Sequence, residues 1–258
     1  MFPLRDDNPH FLTPYVTYAI IALNILAWVF AQGMGSEPTL SSSICLLGLI
    51  PGELLNTLPA GAQLQLGPET YCQMTDSRSA YTLVTSMFMH GSWMHIIGNM
   101  WFLWVFGNNV EDSMGHVRFA IFYLLCGFAA AACQVIADPN SGIPMVGASG
   151  AIGGVMGAYI VLYPRVQVHM LLFLGFFVTT FAVPAVFMLG YWFVMQLVGG
   201  FGSIGSSEGG TAFWAHIGGF AAGAALIYVF KVPELVERHP YHGMRQQESP
   251  NRPWKRIR

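Results

Sequence analysis

Residues 147–163 read GASGAIGGVMGAYIVLY, and residues 214–230 read WAHIGGFAAGAALIYVF. Both stretches lack Asp, Glu, Lys and Arg, and both approach the length of about 20 residues at which a helix crosses the hydrocarbon core of a bilayer. Small residues recur at a spacing of four, Gly153 and Gly157 in the first stretch and Gly219 and Gly223 in the second. Because small residues let helix backbones approach closely in a membrane, we predict two transmembrane helices that pack against each other.

The composition of the whole chain also indicates a membrane protein. The 258 residues are 54% hydrophobic and only 9% charged, whereas a soluble domain carries about 25% charged residues. The charges lie at the chain ends and in a few short stretches, which leaves too few to cover a water-facing surface. The formal net charge of -2 gives no sign of a nucleic-acid partner. We therefore predict a lipid bilayer as the environment and no nucleic acid as a ligand.

Four further apolar runs complete the predicted membrane domain. They are Tyr15–Ala31, Met94–Val110, Phe119–Ala137 and Val183–Val198, the last preceded by an interfacial segment, Met170–Ala182. No small-residue cleavage site follows the first run, so we interpret it as a retained anchor. The predicted fold is all-α, a polytopic bundle of six transmembrane helices.

The distribution of basic residues predicts the orientation of the chain. With the N-terminus in the cytoplasm, six spans place ten of the 11 Lys and Arg residues on the cytoplasmic side. The predicted parts are a cytoplasmic tail (1–14), a six-span domain (15–230) with an extracytoplasmic loop at about 32–93, and a basic cytoplasmic tail (231–258). We predict a multi-pass protein of the cell membrane, assigned to a bacterial inner membrane.

The cysteines separate into two pairs. Cys45 and Cys72 lie in the extracytoplasmic loop, where they form either a disulfide or two free thiols. Cys126 and Cys133 lie seven residues apart on one face of the third span, and we interpret them as packing residues.

Polar residues inside predicted spans are candidates for function, because burying them in lipid is costly. His95 and Asn99 lie in the second span, Ser149 opens the fourth and His216 opens the sixth. Even-numbered spans begin on the extracytoplasmic side, so all four residues share one depth near the outer leaflet. A hydroxyl within reach of a neutral imidazole is the minimal activated nucleophile. With no carboxylate in either span, we predict a Ser149–His216 dyad.

Acyl transfer by such a dyad also needs donors for the developing oxyanion. The predicted donors are the Asn99 amide, the His95 imidazole and the backbone N–H of Ser149, which lies at a helix start where N–H groups lack intrahelical partners. The predicted site lies toward the extracytoplasmic side, where water can reach it.

These motifs resemble those of the rhomboid family of intramembrane serine proteases. The matching residues, over about 12–230, are His90, His95 and Asn99, then Gly147-Ala148-Ser149-Gly150, then Ala215-His216 with Gly219 and Gly223, together with Glu111. The resemblance implies six spans, a Ser149–His216 dyad, and an oxyanion pocket from His95, Asn99 and the Ser149 N–H. It implies structural roles for His90, Glu111 and the motif glycines. It also implies that no metal or cofactor is used, and that the substrates are single-span membrane proteins.

The sequence departs from the family pattern at two places. Tyr81-Thr82 stands where the family often has Trp-Arg. Some members carry an aromatic residue one turn after the nucleophile, on which the base stacks, and here that position is Gly153. The orientation of His216 must then be secured by other residues.

Two other functions are open. One is a non-catalytic rhomboid-like protein that binds membrane clients. The other is a metal carrier or transporter using His90, His95 and His216. Labelling of Ser149 by a fluorophosphonate favours the protease, and sensitivity to a chelator favours the metal carrier.

Access to the site suggests one further hypothesis. The glycine-rich segment Gly199–Gly210 is predicted to be a mobile cap over the dyad, with substrates approaching laterally beside the fifth span. The natural substrate, the cleavage site and the oligomeric state are left open.

Overall fold

A computed structural model describes residues 2–59, 61–65, 71–73, 80–174, 177–203 and 211–241. Its helices are α1 (Tyr15–Leu26), α2 (Thr39–Leu47), α3 (Pro51–Leu54), α4 (Thr82–Thr85), α5 (Trp93–Met114), α6 (His116–Ala137), α7 (Ser149–Leu162), α8 (Ala185–Gly202), α9 (Phe213–Phe230) and α10 (Pro233–Arg238). Its strands are β1 (Phe2–Asp6), β2 (Gln63–Gln65), β3 (Tyr71–Gln73), β4 (Gln167–Leu174) and β5 (Phe177–Pro184). A π-helical turn, Ala27–Ala31, extends α1.

The predicted helical membrane fold is confirmed. Helices α1, α5, α6, α7, α8 and α9 fall on the six apolar runs of the sequence. Three of them, α6, α8 and α9, are long and apolar enough to cross a membrane by length and composition, while α7 and the extended α1 are shorter apolar helices. The count of six spans therefore stays a prediction.

A three-stranded sheet is the main departure from the all-α prediction. The predicted interfacial segment lies in a β-hairpin, in which β4 pairs antiparallel with β5. Strand β1 pairs antiparallel with the other edge of β4, so the order is β1-β4-β5. The stretch Val178–Val183 is rich in β-branched and aromatic residues, which favour strands over helices. The prediction assigned most of this run to an interfacial segment and missed the sheet, because strand pairing depends on β1 and β4, which lie far from β5 or outside the run.

Helices α7 and α9 pack backbone against backbone, as their small residues predict. A Cβ atom added at Gly219 would lie 1.9 Å from the carbonyl oxygen of Gly150, and one added at Gly223 would lie 1.9 Å from that of Gly154. These distances are far shorter than any van der Waals contact, so only glycine fits at either position. The contact holds the two helices that carry Ser149 and His216 at a separation that no larger residue permits.

Two free cysteines of α6, Cys126 and Cys133, pack against glycines of α7 and α9. A Cβ atom at Gly154 would lie 2.4 Å from the Cys126 side chain, and one at Gly218 would lie 2.3 Å from Cys133. Both cysteines are free thiols, and their side chains pack against these two glycines.

Glu111 ties the end of α5 to the start of α1. Its carboxylate is fully buried and accepts hydrogen bonds from the backbone N–H groups of Val16 (3.0 Å) and Thr17 (2.9 Å) and from the Thr17 hydroxyl (2.7 Å). His116 lies 2.5 Å from the same carboxylate. Since the first N–H groups of a helix have no partners within it, Glu111 caps α1 from a neighbouring helix.

A disulfide between Cys45 and Cys72 joins α2 to β3 in the first loop. This decides between the two predicted alternatives for these residues. The Thr85 hydroxyl donates to the carbonyl of Leu47 at 2.8 Å, so the loop is also tied to the segment that leads into α5.

We predict that Gly223→Ala lowers the free energy of unfolding by about 1–3 kcal/mol, because the added methyl group must push α7 and α9 apart. Thermal unfolding in detergent measures the effect. Gly190→Ala on α8 is the matched control, since its added Cβ would meet nothing within 4 Å. An unchanged midpoint for Gly223→Ala would contradict the close contact.

We predict that Glu111→Gln destabilises the protein by about 1.5–3 kcal/mol, because a neutral amide cannot accept all the bonds that the carboxylate accepts. Denaturant titration measures it, with the exposed Glu234→Gln as control. Equal stabilities of the two variants would refute the capping role.

Candidate active site

Ser149 is the first residue of α7, and contacts with the first loop hold the residues just before it in place. Met145 pairs with Leu49 of the first loop in an antiparallel bridge. The backbone N–H of Gly147 donates to the carbonyl of Ser86 at 2.9 Å. The segment before Ser149 is therefore held by the first loop, and the Ser149 N–H lies in the first turn of a helix, where N–H groups lack intrahelical acceptors.

The structure brings Ser149 and His216 together. The Ser149 Oγ lies 2.7 Å from Nε2 of His216, which is on the first turn of α9. This is the distance of an O–H···N hydrogen bond. A neutral imidazole with its lone pair on Nε2 can accept the hydroxyl proton, which is the arrangement of an activated nucleophile.

Two residues that the sequence analysis missed contact the other side of His216. The Nδ1 atom of His216 lies 2.8 Å from Oε1 of Gln196. The ring of Trp192 lies 5.6 Å from the imidazole, centroid to centroid, at an interplanar angle of 37°. A signal for them was present in the sequence, since Gln196 is the single amide of an otherwise apolar run and lies one helical turn after Trp192.

Asn99 and His95 point their donors at one space beside Gly147. The Asn99 side chain is only 8% exposed, and its Nδ2 has no hydrogen-bond partner among the described residues. Nδ1 of His95 accepts the backbone N–H of Gly91 at 3.2 Å, so in the neutral ring the proton lies on Nε2. A Cβ at Gly147 would lie 2.7 Å from this Nε2 and 3.5 Å from Nδ2 of Asn99. An oxyanion bound in that space would meet both donors.

The ring of His90 packs against that of His95. Its backbone N–H donates to Oε1 of Gln32 at 2.8 Å, and Nε2 of Gln32 donates to its carbonyl at 2.7 Å. Its ring is fully buried and meets that of His95 edge to face at 5.0 Å. Burial, with a smaller contribution from His95, lowers the pKa of His90 to about 3, so this ring is neutral.

The other predicted residues lie near the site or support it, but they do not line its cavity. Gly150, Gly219 and Gly223 form the α7–α9 contact, and Glu111 lies toward the far end of α5. The predicted glycine-rich cap falls mostly on residues 204–210, which lie outside the described residues.

One cavity of about 630 Å³ is lined by the four polar residues of the predicted site, His95, Asn99, Ser149 and His216. Beside it lies an apolar groove of about 260 Å³ between α5, α8 and the β4–β5 hairpin. The candidate site therefore adjoins an apolar groove, and Phe102 and Trp192 form walls of both spaces.

Comparisons with known proteins point to one family. Residues 77–232, which contain all three motifs, match the family model of the Rhomboid domain. The chain is 28% identical to the Rhomboid protease GluP of Bacillus subtilis (strain 168), over 83% of this chain and 35% of that protein. It is 26% identical to RHOMBOID-like protein 1 of Arabidopsis thaliana, over 92% of this chain and 57% of that protein.

A third match, 35% identical, is to Inactive rhomboid protein 1 of Drosophila melanogaster, over 32% of this chain and 6% of that protein. The chain thus spans little more than half the length of RHOMBOID-like protein 1 and smaller shares of the other two relatives.

We predict that a fluorophosphonate labels Ser149 and that Gly147→Ala slows the labelling by roughly 100-fold or more, the cost of one lost oxyanion donor. The added methyl group would displace His95, and Gly147 has φ +127°, which disfavours a side chain. Gel-based labelling rates measure it.

Gly98→Ala is the control for this prediction, because it lines the same cavity but its Cβ would meet nothing within 4 Å. Equal labelling of Gly147→Ala and the wild type would show that the space beside Gly147 is not the anion site.

Proposed function

The chain belongs to the rhomboid family, and from that premise we propose that it is an intramembrane serine endopeptidase. It hydrolyses peptide bonds in or near the transmembrane segments of single-span membrane proteins. The observation that carries this proposal is the 2.7 Å hydrogen bond between the Ser149 hydroxyl and Nε2 of His216.

In the proposed reaction, the Ser149 Oγ attacks the carbonyl carbon of the scissile peptide bond while Nε2 of His216 accepts its proton. The carbonyl oxygen becomes an oxyanion beside the Asn99 amide, the His95 Nε2–H and the Ser149 N–H, each of which contributes roughly 3–4 kcal/mol in comparable sites. His216 then gives the proton to the leaving amine, and an acyl-enzyme on Ser149 remains. A water molecule, deprotonated by His216, hydrolyses it.

The surroundings of the dyad support a membrane-embedded substrate. The cavity is roomy enough for water and for an extended piece of chain, and the adjacent groove is lined by apolar side chains of α8 and the hairpin. A single-span helix lying against that groove would place an unwound segment near Ser149. We propose this lateral route for the substrate.

The proposed orientation follows from charge and redox chemistry together. Ten of the 11 basic residues lie on the cytoplasmic side in the six-span arrangement, with both termini cytoplasmic. The disulfide-bonded first loop braces the segment before Ser149. Since disulfides persist in oxidising compartments, we place the loop and the active site toward the extracytoplasmic side.

The second candidate is a rhomboid-like protein that binds membrane clients without cleaving them. The match to a relative named as inactive favours it. The two candidates differ in one measurable property, turnover that depends on Ser149.

We predict that the purified protein cleaves a generic single-span substrate in detergent, and that Ser149→Ala and His216→Ala each abolish cleavage. Asn99→Ala should reduce turnover by roughly 100-fold without abolishing it, because His95 and the Ser149 N–H still face the oxyanion. Product formation on gels measures all variants.

The exposed Ser42→Ala is the matched control and should cleave like the wild type. Equal product from the wild type and Ser149→Ala would defeat the mechanism. A folded wild type that binds the substrate without cleaving it would establish the second candidate.

A further inference from the structure

We propose that Gln196 is a positioning residue that sets the tautomer and orientation of His216, with Trp192 as its support. The inference rests on the proposed function, and it assigns to an uncharged amide the place beside the base that a carboxylate takes in a Ser-His-Asp triad.

A second hydrogen bond settles which end of the Gln196 amide faces the imidazole. Its Nε2 donates to the backbone carbonyl of Trp192, one turn earlier on α8, at 3.1 Å. The nitrogen end of the amide is thus engaged by an atom that can only accept. Oε1 is left to face Nδ1 of His216 at 2.8 Å. The helix backbone therefore orients the amide, and the amide in turn orients the ring.

The amide oxygen selects one tautomer of His216. Because Oε1 can only accept a hydrogen bond, Nδ1 of the neutral ring must carry the proton. Nε2 then presents a lone pair to the Ser149 hydroxyl at 2.7 Å. The other tautomer would set two acceptors against each other at Nδ1 and direct an N–H at Ser149, where it cannot take up a proton. The chain of bonds therefore runs from Ser149 through His216 and Gln196 to the Trp192 carbonyl.

The same amide stabilises the base after it is protonated. When Nε2 takes the Ser149 proton, the Nδ1–H bond to Oε1 becomes charge-assisted and stronger. An amide supplies this without placing a carboxylate, with its large desolvation cost, among apolar helices. Gln196 is only 8% exposed, so little of its side chain is open to competing water.

Trp192 covers the His216 ring and occupies space that Gly153 leaves open. A Cβ at Gly153 would lie 3.8 Å from Cη2 of Trp192 and 3.2 Å from the carbonyl of His216. The indole ring approaches His216 at 5.6 Å, within the distance at which an aromatic face attracts a cation. Trp192 therefore limits ring rotation and favours the imidazolium of the transition state.

The test compares two substitutions of Gln196 in the full-length protein. Gln196→Leu removes the acceptor, and we expect kcat to fall on the order of 10- to 100-fold with KM nearly unchanged, since a general base contributes about 10²–10⁴-fold. Gln196→Glu restores an acceptor of the same length, and because the imidazolium that forms on His216 pairs with its charge, it should recover part of the lost kcat. The rate of fluorophosphonate labelling of Ser149 should follow kcat, because labelling does not require docking of the substrate.

Gln134→Leu is the control for a structural effect. The Gln134 side chain accepts the backbone N–H of Ala215, next to His216 on α9, at 3.3 Å. It holds the same helix without touching the imidazole, so its loss should lower the unfolding midpoint and leave kcat of the folded protein within a few-fold of wild type. If Gln196→Leu does not fold, Gln196→Met removes the same acceptor with a more flexible side chain.

The outcomes separate this inference from the proposed function. An active wild type whose kcat and labelling are unchanged in Gln196→Leu or Gln196→Met overturns the inference alone. Equal losses in Gln196→Leu and Gln196→Glu also overturn it, because they would indicate packing instead of hydrogen bonding. A wild type that neither cleaves nor labels overturns the proposed function, and the inference with it.

Discussion

The backbone contact between α7 and α9 is the constraint on which the rest of the site depends. Gly219 and Gly223 lie against the carbonyl oxygens of Gly150 and Gly154, at positions where any side chain would collide. Ser149 directly precedes this contact and His216 lies one turn before it. Because dispersion contacts between close backbones hold membrane helices together, the packing that stabilises the bundle also sets the distance from hydroxyl to imidazole.

Most polar side chains around the α7–α9 contact already have hydrogen-bond partners. His95 is oriented by the backbone of Gly91, and His216 by Gln196. The buried amide nitrogen of Asn99, however, has no hydrogen-bond partner among the described residues. A buried donor left unbonded costs free energy, and an anion formed beside Gly147 would satisfy it. Such a preorganised donor favours the charged intermediate over the resting state.

Three other features of the chain hold the helices and segments that surround the cavity: Glu111, the first loop and the β4–β5 hairpin. Glu111 joins α1 to α5, which carries His95 and Asn99. The disulfide-bonded first loop holds the residues that lead into Ser149. The β4–β5 hairpin borders the lateral groove that reaches Trp192. Each support restricts one wall of the cavity, so the polar side chains that line it are held by more than the α7–α9 contact alone.

The sequence by itself determined the features that are local: the apolar runs, the glycine spacing of α7 and α9, and the polar residues His95, Asn99, Ser149 and His216. Hydropathy, helical periodicity and the cost of a polar group in lipid can each be evaluated within one segment. The tertiary structure alone decided that α8 brings Gln196 and Trp192 to His216, that Val178–Val183 lies in a hairpin, and that Cys45 meets Cys72. Spacing along a chain defines which face of a helix a residue lies on, but the neighbour of that face depends on how all the helices pack together.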